Sequence, residues 1–544
     1  MSESSDENLE KTVMSSTLEE GRLPVEFEDK KIMDLEEDIQ RLLDDSDTTD
    51  CFLVAIDPDS PEFPKNWPFS LKIKLTMVYG ITTMCAQFNS SIMAPVWPHL
   101  SEQFGVSHTV AILPTSLYII GVAFGPIIFG PVSEVYGRKI GILIPFFISI
   151  VFTVATGAST KIEAIIINRF FAGLFAAAPV VSSGGVLADI WEPAVRGNSL
   201  VLYASFVVLG PSLGSVIGSV IAVKAQWQWT CWVSAIFSGV VLVLDILTVK
   251  ESYVPVLNCK LARRVRASKK NWLYHAKHEE WELTFKEFLS VHLVRPFAMF
   301  GTPIVFFIAM YASFVFGVFY LFLTSAAQTF RTVRGWGEIT SSLSYIAMFL
   351  GTAVGGCFNI LGGIRYKRIV NKVGKGHAIP EERLYPMMLV GWLMPVGIFL
   401  FAWTQRTSQP WIAPFIGLAL YGCGFFVTFQ GCLNYLVDTF SRFSASAVSA
   451  NTFSRSLFAG FFPLFGYHLF ENLGTDWGGS LLAFVSLALL PIPFVFYKFG
   501  ERIRAKNPYS HLVQWSHQMS SNIPVKKQWH SYPALLFLYF RVEN

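Results

Sequence analysis

Twelve apolar runs, each about twenty residues long, recur along this 544-residue chain with polar gaps between them. Wound as an α-helix, a run of that length rises about 30 Å, the depth of the hydrocarbon layer of a bilayer. In that layer every backbone N–H and C=O must be satisfied within the protein, and a helix does this inside its own segment. One set of runs lies near 73–96, 109–130, 140–158, 162–186, 199–222 and 227–248; a second lies near 299–324, 337–361, 385–404, 412–436, 446–468 and 477–497. The composition agrees, with 52% hydrophobic and only 15% charged residues, against roughly a quarter charged in a soluble chain of this size. The expected fold class is an all-α polytopic membrane protein with twelve transmembrane helices.

The gaps divide the chain. Residues 1–70 form an acidic tail too poor in apolar side chains to bury a core, and 71–248 hold six runs. A charged linker follows over 249–297, then six more runs over 298–498 and a second tail over 499–544. The tail carries no apolar stretch with a cleavage site, so the first helix is expected to direct membrane insertion. Its Ser/Thr content suggests phosphorylation. After Ser510 the only apolar piece, ALLFLYF, is far too short to span, which suits a surface-lying segment or the product of a translated intron or frame error. Two equal halves around a linker are the layout of a repeat-built secondary transporter. Lysine and arginine gather in alternate loops: Arg138 and Lys139, Arg196, the linker, Arg365 to Lys375, Arg442 and Lys498 to Lys506. By the positive-inside rule both termini are expected in the cytosol. The seven cysteines form no CxxC pair and suit small buried apolar groups better than disulfides or metal ligands.

Three stretches carry chemistry. GPVSEVYGRK, Gly130 to Lys139, sits between the second and third runs. There Gly130 and Pro131 are expected to turn the chain, Gly137 to permit close approach, and Glu134, Arg138 and Lys139 to form a charged latch at an interface that opens and closes. An ordinary positive-inside loop would look similar. In VVLGPSLGSVIGSVIA, Gly210, Gly214 and Gly218 recur every four residues and offer one helix face to a close neighbour, while Pro211 favours a kink. Arg169 lies within the fourth run, where an arginine costs roughly 3 kcal/mol to insert. It must therefore face a partner or a wet cavity, either lining that cavity or bracing a neighbouring helix through its carbonyls. Asn89, Gln430, Asn434, Asn451 and Arg455 are polar within apolar runs, and either contact substrate or hydrogen-bond between helices. Glu134, Asp189, Asp245 and Asp438 fall near run ends, leaving no carboxylate at mid-membrane.

Taken together these motifs resemble the major facilitator superfamily. GPVSEVYGRK is similar to its loop signature between helices two and three, with Glu134 where many members have aspartate. Arg169 with Gly173 resembles its fourth-helix signature, and Gly210, Pro211 and Gly214 that of the fifth helix of its antiporters. DPDSPEFPKNWP, EERLYP and NYLVDTFSRFSASAVSANTFSRSLFAGFFPLFGYHLF resemble the fungal drug:proton antiporters with twelve spans, over roughly residues 57 to 509. Phe206 and Ser215 depart from the fifth-helix signature, each standing where a glycine is usual, which implies a looser helix contact. The resemblance implies two six-helix bundles around a central cavity, alternating access, and export of a drug, toxin or secondary metabolite driven by protons. Gly130, Glu134, Gly137, Arg138, Lys139, Arg169, Asp189, Gly210, Pro211 and Gly214 would then serve gating and coupling, with Arg169 also among the substrate contacts.

Rival classes find less support. No GxxxxGK[ST] cradle for ATP occurs, and the ten histidines form no cluster suited to an enzyme. A polyamine exporter would need several cavity carboxylates; a nutrient uptake carrier or a transporter-like sensor could use the same fold. The expected partners are a small organic substrate, protons and the lipid bilayer, with no cofactor, metal or nucleic acid. The chain is expected to work as a monomer, in the plasma membrane.

Overall fold

The computed structural model describes residues 52–280, 294–372, 379–440, 443–507 and 509–510, without the side chains of 193–198. The expectations for the acidic tail and its phosphorylation, for residues 511–544, and for Cys51, Lys375, Arg442 and the Arg196 side chain fall outside these. Among the described residues the only β-pairing is an isolated bridge between Leu53 and His275.

The first bundle consists of α1 (Phe69–Ser91), α2 (His108–Val135), α3 (Arg138–Ala158), α4 (Ile162–Ile190), α5 (Pro193–Lys224) and α6 (Gln228–Thr248). The second begins with α7 (Pro303–Arg334), α8 (Ser344–Lys372), α9 (Pro380–Trp403) and α10 (Ile412–Phe440). Then a 63-residue helical run, Ser444–Lys506, breaks at Gly474, whose φ of 71° lies in the left-handed region, and so supplies both α11 (444–473) and α12 (475–506). Ten segments are long and apolar enough to cross a bilayer; dividing the last at Gly474 and adding α1 gives twelve. α1 is the least apolar of them because its buried face carries Thr76, Thr82, Thr83, Gln87, Asn89, Ser90 and Ser91.

Helix ends depart from the apolar runs where polar chemistry intervenes. The first run stops early, at Ser91, because Pro95 and Pro98 divert the chain into a 3-10 turn and the short helix Trp97–Phe104. α2 instead runs through Gly130 and Pro131 to Val135, and the chain turns at Tyr136 and Gly137, contrary to the expectation that Gly130 and Pro131 make the turn. A proline inside a membrane helix is tolerated where neighbouring helices satisfy the freed carbonyl. α8 extends to Lys372, since basic side chains can lie along the helix with their charges in water.

The two bundles repeat one pattern of contacts. α1 packs on α5 and α2 on α4 in the first; α7 packs on α11 and α8 on α10 in the second. Between bundles, α2 meets α11 and α5 meets α8. Small residues set these distances: a Cβ on Gly173 would strike the Tyr118 carbonyl, and one on Gly351 the Ala419 carbonyl. α7 is the most enclosed span, with 83% of its apolar window buried.

The described residues divide into two compact units, a larger one that holds the spans and a smaller one in which residues 52–56 join residues 258–280. Within the smaller unit the linker is folded. The Val54 N–H donates to the His275 carbonyl (2.8 Å), the Ile56 N–H to Asn258 Oδ1 (3.0 Å), and Arg266 pairs with Glu279 (2.6 Å).

Candidate functional site: a central cavity and its two ends

At the end of the first bundle where α3 begins, Gly137 adopts φ 93° and leaves room for the Glu251 carboxylate, which a Cβ there would strike. Glu251 accepts from the backbone N–H groups of Arg138 (2.9 Å) and Lys139 (3.0 Å), the free donors at the start of α3. It also accepts from the N–H groups of Ser252 (3.0 Å) and Tyr253 (2.9 Å). Arg138 pairs with Asp189 at the end of α4 (3.1 Å), donates to Ser133 Oγ (2.8 Å) and lies over the Tyr253 ring at 4.8 Å. Burial raises the Tyr253 phenol above its usual pKa, so the ring stays neutral beneath the cation. Glu134 makes no hydrogen bond or ion pair among the described residues; the clamp is built by Asp189 and by Glu251, which sequence reasoning missed. These partners of Arg138 all belong to the first bundle, so the clamp ties α3, α4 and the chain after α6 into one body rather than latching two bodies together. Lys139 Nζ reaches the Ile246 carbonyl (3.5 Å), and Gly130 has open space around it.

The second bundle repeats the clamp. Arg383 at the start of α9 pairs with Asp438 near the end of α10 (2.7 Å), and the Tyr366 hydroxyl donates to the same carboxylate (2.7 Å). Arg504 of α12 pairs with Glu381 (2.8 Å). The corresponding helix ends are thus joined in both halves, with the charges of the third partner exchanged: Glu251 in one, Arg504 in the other.

Arg169 is fully enclosed and saturated. Its Nε donates to the Pro114 carbonyl (3.1 Å), Nη1 to Asn89 Oδ1 (2.8 Å) and Nη2 to the Asn89 carbonyl (2.8 Å), while the guanidinium lies over the Tyr118 ring at 4.3 Å. Asn89 Nδ2 in turn donates to Thr153 Oγ1 (2.8 Å). Of the two roles open to Arg169, the geometry builds the brace, joining α4 to α1 and α2. Asn89 serves that brace through both its Oδ1 and its backbone carbonyl.

The glycine stripe of α5 lies against α1. A Cβ on Gly210 would strike the Met84 carbonyl, on Gly214 the Phe88 carbonyl, and on Gly218 the Ile92 carbonyl. Ser91 Oγ donates to the Pro211 carbonyl (2.7 Å), supplying the helix with a contact at its proline. Contrary to the looser contact expected at Phe206, its ring lies directly over Gly80 of α1, so the glycine lost from one helix is present on the other.

Among the described residues, two sizeable cavities lie between the bundles. One, of about 140 Å³, is walled by Val180, Tyr203, Val207, Phe429, Gln430 and Arg455 among others, with no acidic residue on its wall. The other, of about 360 Å³, opens toward the opposite end between Trp97, His108, Thr324, Gln328, Tyr467 and Glu471. Along α7, Tyr320 stands between Phe316, beside Arg455, and Thr324 of the larger cavity; its hydroxyl bonds Ser90 Oγ of α1 (2.9 Å). Ile120 of α2 fills the space over Gly460 of α11 nearby. Arg455, about three turns into α11, lies beside the adjoining rings of Phe316 (4.6 Å) and Phe429 (4.9 Å), whose own centroids are 5.6 Å apart. Gln430 lines the same cavity, and Asn451 is buried one turn before Arg455. Asn434 is half-buried on α10 and does not line it. The rings around Arg455 were invisible in sequence among 49 phenylalanines, because only helix packing chooses which of them face inward.

Asp245, one turn before the end of α6, is almost fully enclosed, and Thr82 Oγ1 of α1 is shared by its two oxygens (2.9 Å to each). No cation lies within ion-pair distance of it among the described residues.

The model of the Major Facilitator Superfamily matches residues 79–463. An efflux pump of Gibberella fujikuroi, bik6, is 43% identical over 82% of this chain and 93% of its own. The multidrug transporter TPO1_1 of Candida glabrata is 38% identical over 83% of this chain and 80% of its own, and the multidrug transporter FLU1 of Candida albicans 34% over 86% and 77%. Among solved structures, the proton:xylose symporter XylE superposes with a TM-score of 0.58 at 15% identity, covering 79% of this chain and 96% of that one. The human organic anion transporter MFSD10 superposes at 0.55 and 14% identity, covering 78% and 99%. With its twelve spans in two matching bundles, its paired clamps and its family-wide match, the chain belongs to the Major Facilitator Superfamily.

Proposed function

We propose that this protein exports small organic compounds by proton antiport, through alternating access to the cavity between its bundles. The observation that carries the reading is that cavity, lined by Arg455 and Gln430, whose Nε and Oε1 are buried without a hydrogen-bond partner among the described residues. Bracing and clamps within each bundle, with cavities on either side of Tyr320, suit two bodies that rock about a central contact. The efflux and multidrug relatives support the direction. A polyamine cargo is disfavoured, since the cavity wall carries no carboxylate. The clamped end, where the basic loops gather, is assigned to the cytosol together with both termini, the membrane is the plasma membrane, and one chain suffices.

Asp245 is assigned the coupling proton. It is buried, with the Thr82 hydroxyl as its partner and no cation within ion-pair distance among the described residues, and a carboxylate so placed is costly in a membrane and marks a functional position. The titratable groups facing it are Tyr79 and Cys85 of α1, and Lys139 of α3 reaches the neighbouring Ile246 carbonyl.

The test is retention of a panel of labelled organic compounds by cells expressing the protein, with and without a protonophore. Lower retention that the protonophore abolishes supports the reading; higher retention overturns the direction of transport. In inside-out vesicles Asp245→Asn is expected to remove the dependence of pumping on the pH gradient at wild-type protein levels, and a variant still driven by that gradient would sink the assignment.

A further inference from the structure

Arg169 and Arg455 are both buried in the interior of spans, where an arginine is costly, yet the protein satisfies only Arg169. Arg169 donates to Pro114 and Asn89 from all three of its nitrogens. Arg455, 7% exposed, makes no hydrogen bond and no ion pair among the described residues, and its Nε is enclosed without an acceptor. Its neighbours repeat the deficit: Gln430 Oε1 and both polar side-chain atoms of Asn451, each residue 1% exposed, have no partner either. A lone charge in a protein interior costs several kcal/mol, and the faces of Phe316 and Phe429 return only about 0.5–2 kcal/mol of it. Those two rings adjoin each other on one side of the guanidinium, and Arg455 also lines the cavity. The remaining wall is mostly apolar, with Val180, Val181, Leu200, Val207 and Leu433, and carries the neutral residues Tyr203, Ser449 and Thr452.

We infer that the cavity is a binding site for aromatic organic anions, with the carboxylate, sulfonate or phenolate of the cargo held at the edge of Arg455 and its carbonyl or hydroxyl groups facing Gln430. The planar fork of arginine matches a two-oxygen anion, and an apolar wall discriminates little against ring shape, so charge rather than outline sets the selectivity. At about 140 Å³ the cavity takes one or two rings as it stands. The inference rests on the exporter reading.

The experiment holds the skeleton constant and changes the charge. 2-Naphthoate and naphthalene-2-sulfonate, the neutral 2-naphthamide and the cationic 2-naphthyltrimethylammonium are offered to the purified full-length protein for binding and to inside-out vesicles for pumping. The expected result is at least tenfold tighter binding of both anions than of the amide, no measurable binding of the cation, and anion accumulation in vesicles. Arg455→Gln should bring anion and amide within about twofold of each other, and Arg455→Lys should keep part of the preference, with both variants monodisperse and at wild-type level. Equal affinity for anion and amide in the wild type, or an anion preference that survives Arg455→Gln, overturns the inference. Pumping of the amide in that case leaves the exporter reading standing. Failure to bind any naphthalene compound also overturns it, and only if other organic compounds likewise go unpumped does the exporter reading fall with it.

Discussion

Arg169 and Arg455 show how one side chain does opposite work in two surroundings. Arg169 holds α4 to α1 and α2 through three hydrogen bonds shorter than 3.2 Å, so Arg169→Ala leaves buried acceptors without their donor. The expected cost is about 3 kcal/mol, read as a fall in Tm of roughly 3 °C in detergent. Arg455→Met removes a charge that nothing in the protein pairs, and Tm should hold or rise by a few degrees. A larger loss from Arg455→Met than from Arg169→Ala would reverse the two roles, making Arg455 the brace. Sequence reading marked both arginines as exceptional from their cost in lipid, but the acceptors of Arg169 are backbone carbonyls and one asparagine on other helices. No local pattern distinguishes a carbonyl that will face an arginine from one that will not.

At the scale of the helix, contact distance is set by what lacks a Cβ. Gly214 sits on the Phe88 carbonyl of α1, so Gly214→Val should push α5 off α1 and abolish the monodisperse peak in size exclusion. Gly239 of α6 has nothing near it, and Gly239→Ala should be neutral or stabilising by up to about 1 kcal/mol, visible as an unchanged or higher Tm. The stripe of glycines was legible because its period matches the helix. Its complement at Gly80 was not, since the match between Phe206 and Gly80 exists only once the two helices are in register. The Gly130–Pro131 pair misled for a related reason: it carries the composition of a turn, yet tertiary contacts keep the helix intact until Val135.

For the whole molecule, the clamps within each bundle predict a separation of kinetic effects. Asp189→Asn weakens the body that moves without touching the cavity, and should lower the maximal transport rate about tenfold while leaving KM within about twofold. Arg455→Gln should instead raise KM for anionic cargo several-fold. Steady-state transport by both variants in the same vesicles separates the two, and a raised KM for Asp189→Asn would place that residue in the binding path. Asp438→Asn, its counterpart in the second bundle, should behave like Asp189→Asn.

The number of spans, their division into two sets of six and the positions of the costly polar residues follow from the chain alone, because a bilayer demands long apolar helices and penalises every exception. Family resemblance was carried by short motifs whose spacing survives without knowledge of the fold. Which exceptions are satisfied and which are left without a hydrogen-bond partner among the described residues was decided by tertiary structure. Glu251 reaches α3 across 112 residues, Asp438 meets Arg383 across 55, and the phenyl rings around Arg455 come from α7 and α10. Hydrogen bonding and ring stacking act over a few ångströms, and only packing brings such distant positions within that reach.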